Sequence, residues 1–174
     1  MKVAIVGLSQ STRHLAPWSN PGWELWGLAW DVERRYQFHR AFEMHDMADL
    51  KATYPNLRAY LEKISHCARL YTHDEIDGAE RFPFEAVEAG VGDYWCSSIG
   101  YMLSLAIHER AEEIAMFGVD MRGDDEYGYQ KPNCEYLIGL ARGRGIKVLI
   151  PEQSPLCKFI SPPDRNYAGR YGRT

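Results

Sequence analysis

Short apolar runs closed by glycine or polar residues alternate along the chain with segments whose apolar positions recur every three or four residues. KVAIVGL (Lys2 to Leu8), WELWGLAW (Trp23 to Trp30), HRAFEMHD (His39 to Asp46), ARLYTH (Ala68 to His73), EIAMFGVDM (Glu113 to Met121) and a final KVLIPE read as strands. Between them, Leu57, Tyr60, Leu61 and Ile64 carry the spacing of an amphipathic helix, with Pro55 at its start or at a break. Ser97 to Arg110 predicts a second helix, buried through Ile99, Met102, Leu103, Leu105, Ala106 and Ile107. A third follows Pro132, which suits a first helical turn, and ends at Gly145. SQSTRHLAPWSNPGW, DEIDGAERFPFEAVEAGVGD and RGDDEYGYQ read as irregular connections, the first with one helical turn begun at Ser11 or Thr12. The strands are near-continuous apolar runs, as expected when helices cover both faces of a parallel sheet. The pattern therefore predicts an α/β fold: one Rossmann-like domain over residues 1–160, mostly parallel, with about five to six strands. Residues 161–174 form a basic tail expected to be flexible or a docking arm.

Composition changes this picture little. At 174 residues, 45% apolar and 25% charged, the chain suits an ordinary globule, and its net charge of −4 gives no global attraction to nucleic acid. No run approaches the ~20 apolar residues that span a bilayer, and MKVAIVGLSQSTR lacks a signal-peptide pattern. A cytoplasmic protein is expected. Cys67, Cys96, Cys134 and Cys157 form no C-x-x-C pair, so neither a zinc knuckle nor a redox dithiol is indicated.

Candidate chemistry concentrates after the strands, where ligands bind in open parallel sheets. Gly7, Ser9, Ser11, Thr12 and Arg13 follow the first strand. They read either as a capped turn or as a phosphate loop in which the Arg13 fork grips an anion. Ser97 and Ser98 open a helix, as an N-cap or as part of an anion site at the positive end of its dipole. Asp120 ends an apolar strand and needs a partner: a ribose hydroxyl, a metal or a basic side chain. Asp120 with Asp124 could hold Mg²⁺ through hard oxygen ligands, and the 124–126 acidic run could equally be a solvated loop. Glu43 and His45 close the third strand, and a histidine there could serve as a general base near neutral pH. Neither a Walker lysine nor G-x-G-x-x-G is present, and spacing alone reveals no Ser-His-Asp or Cys-His set.

VGLSQSTRHLAPW, WELWGLAW, FEMHD, SSIGYMLSLAI, FGVDM and QKPNCEYLIGLARGRGIKVLIP together resemble a group of small phage- and prophage-encoded Rossmann-like proteins. That likeness covers nearly the whole chain and implies a phage-type protein acting in the host cell. The stretch SSIGYMLSLAIHERAEEIAMFGVDM, with the helix and strand after it, is more distantly similar to the nucleotide-binding part of 6-hydroxymethylpterin diphosphokinases and sialyltransferase-like glycosyltransferases. The second resemblance covers about a third of the chain. It implies that Ser97, Ser98 and Asp120 lie beside a nucleotide.

The leading expectation is a transferase with a nucleotide-sugar or nucleoside-triphosphate donor. The Ser97–Ser98 helix start would hold phosphate, Asp120 ribose or Mg²⁺, and His45 or Glu43 would deprotonate the acceptor. The alternatives are a non-catalytic binder of a small nucleotide, nucleic-acid association through Arg165, Arg170 and Arg173 interleaved with Tyr167 and Tyr171, or N-glycosidic cleavage with Glu43 as the acid.

Overall fold

The computed structural model describes residues 1–32, 37–123 and 126–158. Its centre is a sheet of seven strands, β1 (Lys2–Val6), β2 (Glu24–Leu28), β3 (Arg40–Glu43), β4 (Arg69–Thr72), β5 (Glu80–Arg81), β6 (Glu113–Phe117) and β7 (Lys147–Leu149). They lie in the order β5-β4-β3-β2-β1-β6-β7, and every neighbouring pair is parallel. The helices among the described residues are α1 (Ala29–Val32), α2 (Met47–Thr53), α3 (Leu57–Ser65), α4 (Phe84–Val91), α5 (Ser98–His108) and α6 (Tyr127–Gly143). None is long and apolar enough to cross a membrane.

Successive side chains of a strand point to opposite faces, and β1 divides accordingly. Val3 and Ile5 enter a large core with Met102, Leu103 and Ile107 of α5 and Leu137 and Ile138 of α6. Ala4 and Val6 enter a smaller one with Tyr60, Leu61 and Ile64 of α3, flanked by Trp18, Trp23 and Trp30. Both faces of the central strand are dry, which is why its sequence is apolar throughout. Burying a side chain such as Leu103 contributes roughly 1.5–3 kcal/mol, so this packing rather than intrinsic propensity fixes α5.

Three segments depart from the sequence expectation. The connection after β4 contains a seventh strand and a helix, because Glu80 and Arg81 pair with Tyr71 and Thr72 and α4 turns Val87 and Val91 into the core. The two-residue β5 carries no periodicity, and Pro83 with Gly90 masks the helical spacing beyond it. Helix α6 starts at Tyr127, placing Pro132 inside the helix rather than at its opening. The missing proline N–H leaves the carbonyl four residues back, that of Gly128, without its intrahelical donor. The break at Pro55 is a true boundary: α2 ends at Thr53, and Asn56 caps α3 by accepting from the Ala59 N–H.

Candidate functional site

The chain winds outward from β1 through β2, β3 and β4 to β5, then returns to lay β6 on the other side of β1. That reversal is a topological switch point, where the loops beyond the carboxyl ends of adjacent strands diverge and leave a crevice. An open cleft of about 830 Å³ lies there, a volume typical of small-molecule sites. Gly7, Ser9, Glu43, His45, Ser97, Ser98 and Asp120 all line it. From β6 to β3 it crosses three interstrand steps of ~4.8 Å each. Asp120 and His45 therefore follow strands whose axes are roughly 14 Å apart.

At the β1–β6 end two loops are stitched together. Gly7 N–H donates to Phe117 O at 2.8 Å and Ser9 N–H to Gly118 O at 2.9 Å. Thr12 Oγ1, fully buried, accepts from Gly118 N–H at 2.8 Å. The backbones approach so closely that a Cβ on Gly7 would stand 2.5 Å from Gly118 O, and one on Gly118 2.6 Å from Gly7 O. The Ser9 and Ser11 hydroxyls each donate to one oxygen of Asp120, both at 2.8 Å. Sequence reasoning left the partner of Asp120 open; two serines from the other strand's loop fill that place.

Thr12 and Arg13 do not reach the cleft. Arg13 is buried: it donates from Nη1 to Gly7 O at 2.8 Å and from Nη2 to Asp31, itself buried after β2. Its fork holds the first loop against the end of β2 instead of facing an anion. Ser154 is likewise turned inward, donating to Val119 O at 3.0 Å.

At the α5 end Ser97 is the N-cap, its Oγ accepting from Gly100 N–H at 3.1 Å. The N–H groups of Ser98 and Ile99 precede any intrahelical acceptor, and both residues line the cleft. The loop before α5 is clamped from α6 by buried Asn133, whose Nδ2 donates to Tyr94 O at 2.5 Å. Gly100 makes room for that clamp, since a Cβ there would meet Asn133 Oδ1 at 2.6 Å.

At the β3 end, His45 Nδ1 lies 2.5 Å from Glu43 Oε1, and Tyr60 donates from its hydroxyl to Glu43 Oε2 at 3.1 Å. A carboxylate can only accept, so an ionised Glu43 requires the proton on His45 Nδ1, and in the neutral imidazole that tautomer leaves the lone pair on Nε2. Glu43 is 2% exposed in its side chain and His45 62%, so the acid is an internal anchor and the imidazole is open to solvent. Burial, followed by its contacts with Tyr54 and Glu43, pushes the Tyr60 phenol well above its ordinary value and keeps it a donor. The same cause, burial, raises Tyr101 and Cys96 on the cleft wall.

Sequence reasoning missed the Tyr60–Glu43 bond and the wall formed by Trp30, Phe42, Tyr101 and Tyr127. The E-x-H spacing was a usable signal, because residues two apart in an extended segment project to one side. Tyr127 and Gln130 were hidden by the assumption that α6 begins later.

For a divalent metal the described residues offer little. Both Asp120 oxygens accept serine protons, so a metal would have to displace one, and no group of three His, Cys, Asp or Glu able to hold an ion occurs among the described residues. Asp124 and the tail with Arg165, Arg170 and Arg173 lie outside them.

No protein-family profile and no curated protein matches the chain. Solved structures do share its fold. The sialyltransferase CstII from Campylobacter jejuni, in complex with the substrate analogue CMP-3FNeuAc, superposes with a TM-score of 0.55 at 15% identity over 95% of this chain and 91% of that one. An α-2,3-sialyltransferase from the same organism gives 0.54 at 12% identity over 97% and 77%. Thiamine pyrophosphokinase from Bacillus subtilis gives 0.52 at 14% identity over 87% of this chain and 60% of that one. The fold is thus shared with two sialyltransferases and a thiamine pyrophosphokinase.

Proposed function

We propose that the cleft binds a nucleotide and that the protein is a transferase with a nucleotide-containing donor, a nucleotide sugar or a nucleoside triphosphate. The observation that carries this reading is the gathering of Ser9, Asp120, Ser98, Glu43 and His45 around one cleft at the switch point. The neighbouring sialyltransferase fold, described with CMP-3FNeuAc, supports it. The free N–H groups at the start of α5 suit the donor phosphate, and the aromatic wall suits a planar base.

At the far end His45 acts as general base. Its Nε2 takes the proton of an acceptor hydroxyl while Glu43 holds Nδ1–H and stabilises the imidazolium that forms. The acceptor oxygen bonds to the transferred group as the bond from that group to the donor's phosphate oxygen breaks, and the electron pair departs on the nucleotide. Such assistance contributes about 10²–10⁴ in rate.

A thermal-shift screen against ribonucleotides and nucleotide sugars, followed by turnover assays with labelled donors, tests both parts. A ligand that binds only the folded state raises the midpoint with concentration. His45→Ala is expected to keep that shift and lose about 10²–10⁴ of turnover. No shift with any nucleotide would defeat the reading. Binding without turnover in the wild type would leave a nucleotide binder in place of an enzyme.

A further inference from the structure

The loop after β1 has the composition of a phosphate cradle, with a glycine, three hydroxyl residues and an arginine, yet the N–H groups of Gly7 and Ser9 and the hydroxyls of Ser9 and Ser11 are already engaged within the fold. The N–H groups of Gly7 and Ser9 bond to Phe117 O and Gly118 O, and that of Gly118 bonds to Thr12 Oγ1. Ser11 N–H points to Ser9 Oγ at 3.4 Å. Each serine has a single hydroxyl proton, and both protons go to Asp120. Ser9 Oγ and Ser11 Oγ nevertheless stand 3.1 Å apart. Four oxygens are thus clustered around two protons, which leaves unused lone pairs around a carboxylate that is 12% exposed and lines the cleft. Glu126 adds another acceptor to the same rim. The cation beside them, Arg122, also lines the cleft; it is 65% exposed, and its charge is paired with Asp120, Nε standing 3.7 Å from the carboxylate.

We infer that the β1–β6 end of the cleft takes the ribose diol of the nucleotide and excludes its phosphate. A phosphate brings only acceptors and negative charge, and would face a carboxylate and two serine oxygens whose protons are already given to it. A vicinal diol brings two O–H donors and no charge, which a carboxylate whose two serine neighbours have already given their protons can accept. This places the phosphate toward the Ser98 and Ile99 N–H groups and sets the direction of the ligand along the cleft: nucleoside over β6 and β1, transferred group toward His45. The inference rests on the nucleotide reading above and reverses the phosphate role that the loop's composition suggests.

Isothermal titration of the full chain with CMP, UMP and AMP, and with their 2′-deoxy, 3′-deoxy and 2′,3′-dideoxy forms, tests it. A hydrogen bond to a charged group implies about a ten- to hundredfold weaker Kd for the dideoxy form of whichever nucleotide binds. The gap is expected to narrow to a few-fold in Asp120→Asn, with near-ultraviolet circular dichroism checking that the variant is folded. The dideoxy comparison in the wild type needs no variant at all. Equal affinity of ribo and dideoxy forms would overturn the inference while leaving nucleotide binding intact. So would a preference that follows the base amino group, CMP over UMP, instead of the diol, or a tighter grip on inorganic phosphate in the wild type than in Asp120→Asn. Failure of every nucleotide to bind would remove the nucleotide reading and this inference with it.

Discussion

The buried pair Arg13–Asp31 offers a sharp test of how the first loop is held. Their side chains are 5% and 2% exposed, so neither charge is compensated by water. Replacing Asp31 by Asn keeps the shape and removes the counter-charge. Breaking such a pair from one side costs about 3–5 kcal/mol, because the buried guanidinium loses the carboxylate it is paired with. For a chain of this size each kcal/mol lowers the midpoint by about 2–4 °C, so Asp31→Asn should melt roughly 6–20 °C early. The double replacement Arg13→Met with Asp31→Leu removes both charges and should recover part of that loss. Recovery is incomplete, because Gly7 O also loses the donor that Arg13 supplies. Urea unfolding of the wild type, Arg13→Met, Asp31→Leu and the double variant gives the coupling energy directly. Within about 1 kcal/mol of wild type for Asp31→Asn, or strictly additive single effects, would refute the latch. If Arg13→Met abolished nucleotide binding while leaving stability unchanged, Arg13 would be a phosphate fork after all.

Glycine substitutions should split by environment. Gly7→Ala drives a Cβ to 2.5 Å from the Gly118 carbonyl and should cost on the order of 1–3 kcal/mol in urea unfolding. Gly139→Ala, an exposed site inside α6 with nothing within 4 Å, should stabilise by about 0.4–1 kcal/mol; equal effects at the two sites would contradict the close approach of the loops. Glu113 bonds to Lys147 and then Lys2, which hold its carboxyl below the ordinary value of 4.5. A carboxyl depressed in the folded state stabilises above its unfolded value, and that contribution is lost as pH falls through the folded value. The stability gap between wild type and Glu113→Gln should therefore be full near pH 7 and close progressively below pH 4.5, and a gap constant down to acid unfolding would contradict the pairing. Burial raises the Cys134 thiol, so at pH 8 a thiol reagent should label exposed Cys67 in the folded chain and reach Cys134 only on unfolding.

The legible parts of the chain were those where one physical signal dominates. Strands β1, β2, β3, β4 and β6 are short runs buried along most of their length, β7 is an edge strand recognised by the run after Gly145, and α5 declares itself by a serine cap and a broad apolar side. β5 and α4 escaped because a two-residue strand has no period and because Pro83 and Gly90 read as loop residues. Placing the polar residues at strand ends gathered Gly7, Ser9, Glu43, His45, Ser97, Ser98 and Asp120 around one cleft. The sequence could not reveal which way each side chain turns. Arg13 and Thr12 have the chemistry of ligand groups, yet burial sends them into the joint between loops. Asp120 and the serines are more than a hundred residues apart, and local spacing does not encode that contact. Tyr60 belongs to a helix whose period marks it as core, and its hydroxyl at Glu43 appears only once α3 packs against the end of β3.

The central claim is that a nucleotide lies across the strand ends between Asp120 and His45. Amide chemical shifts of isotopically labelled protein, followed during titration with CMP, address it most directly. The account predicts saturable changes at Ser9, Ser98, Ile99 and Asp120, with the distant Gly145 unmoved. Changes confined to residues away from the cleft, or none at millimolar ligand, would contradict it.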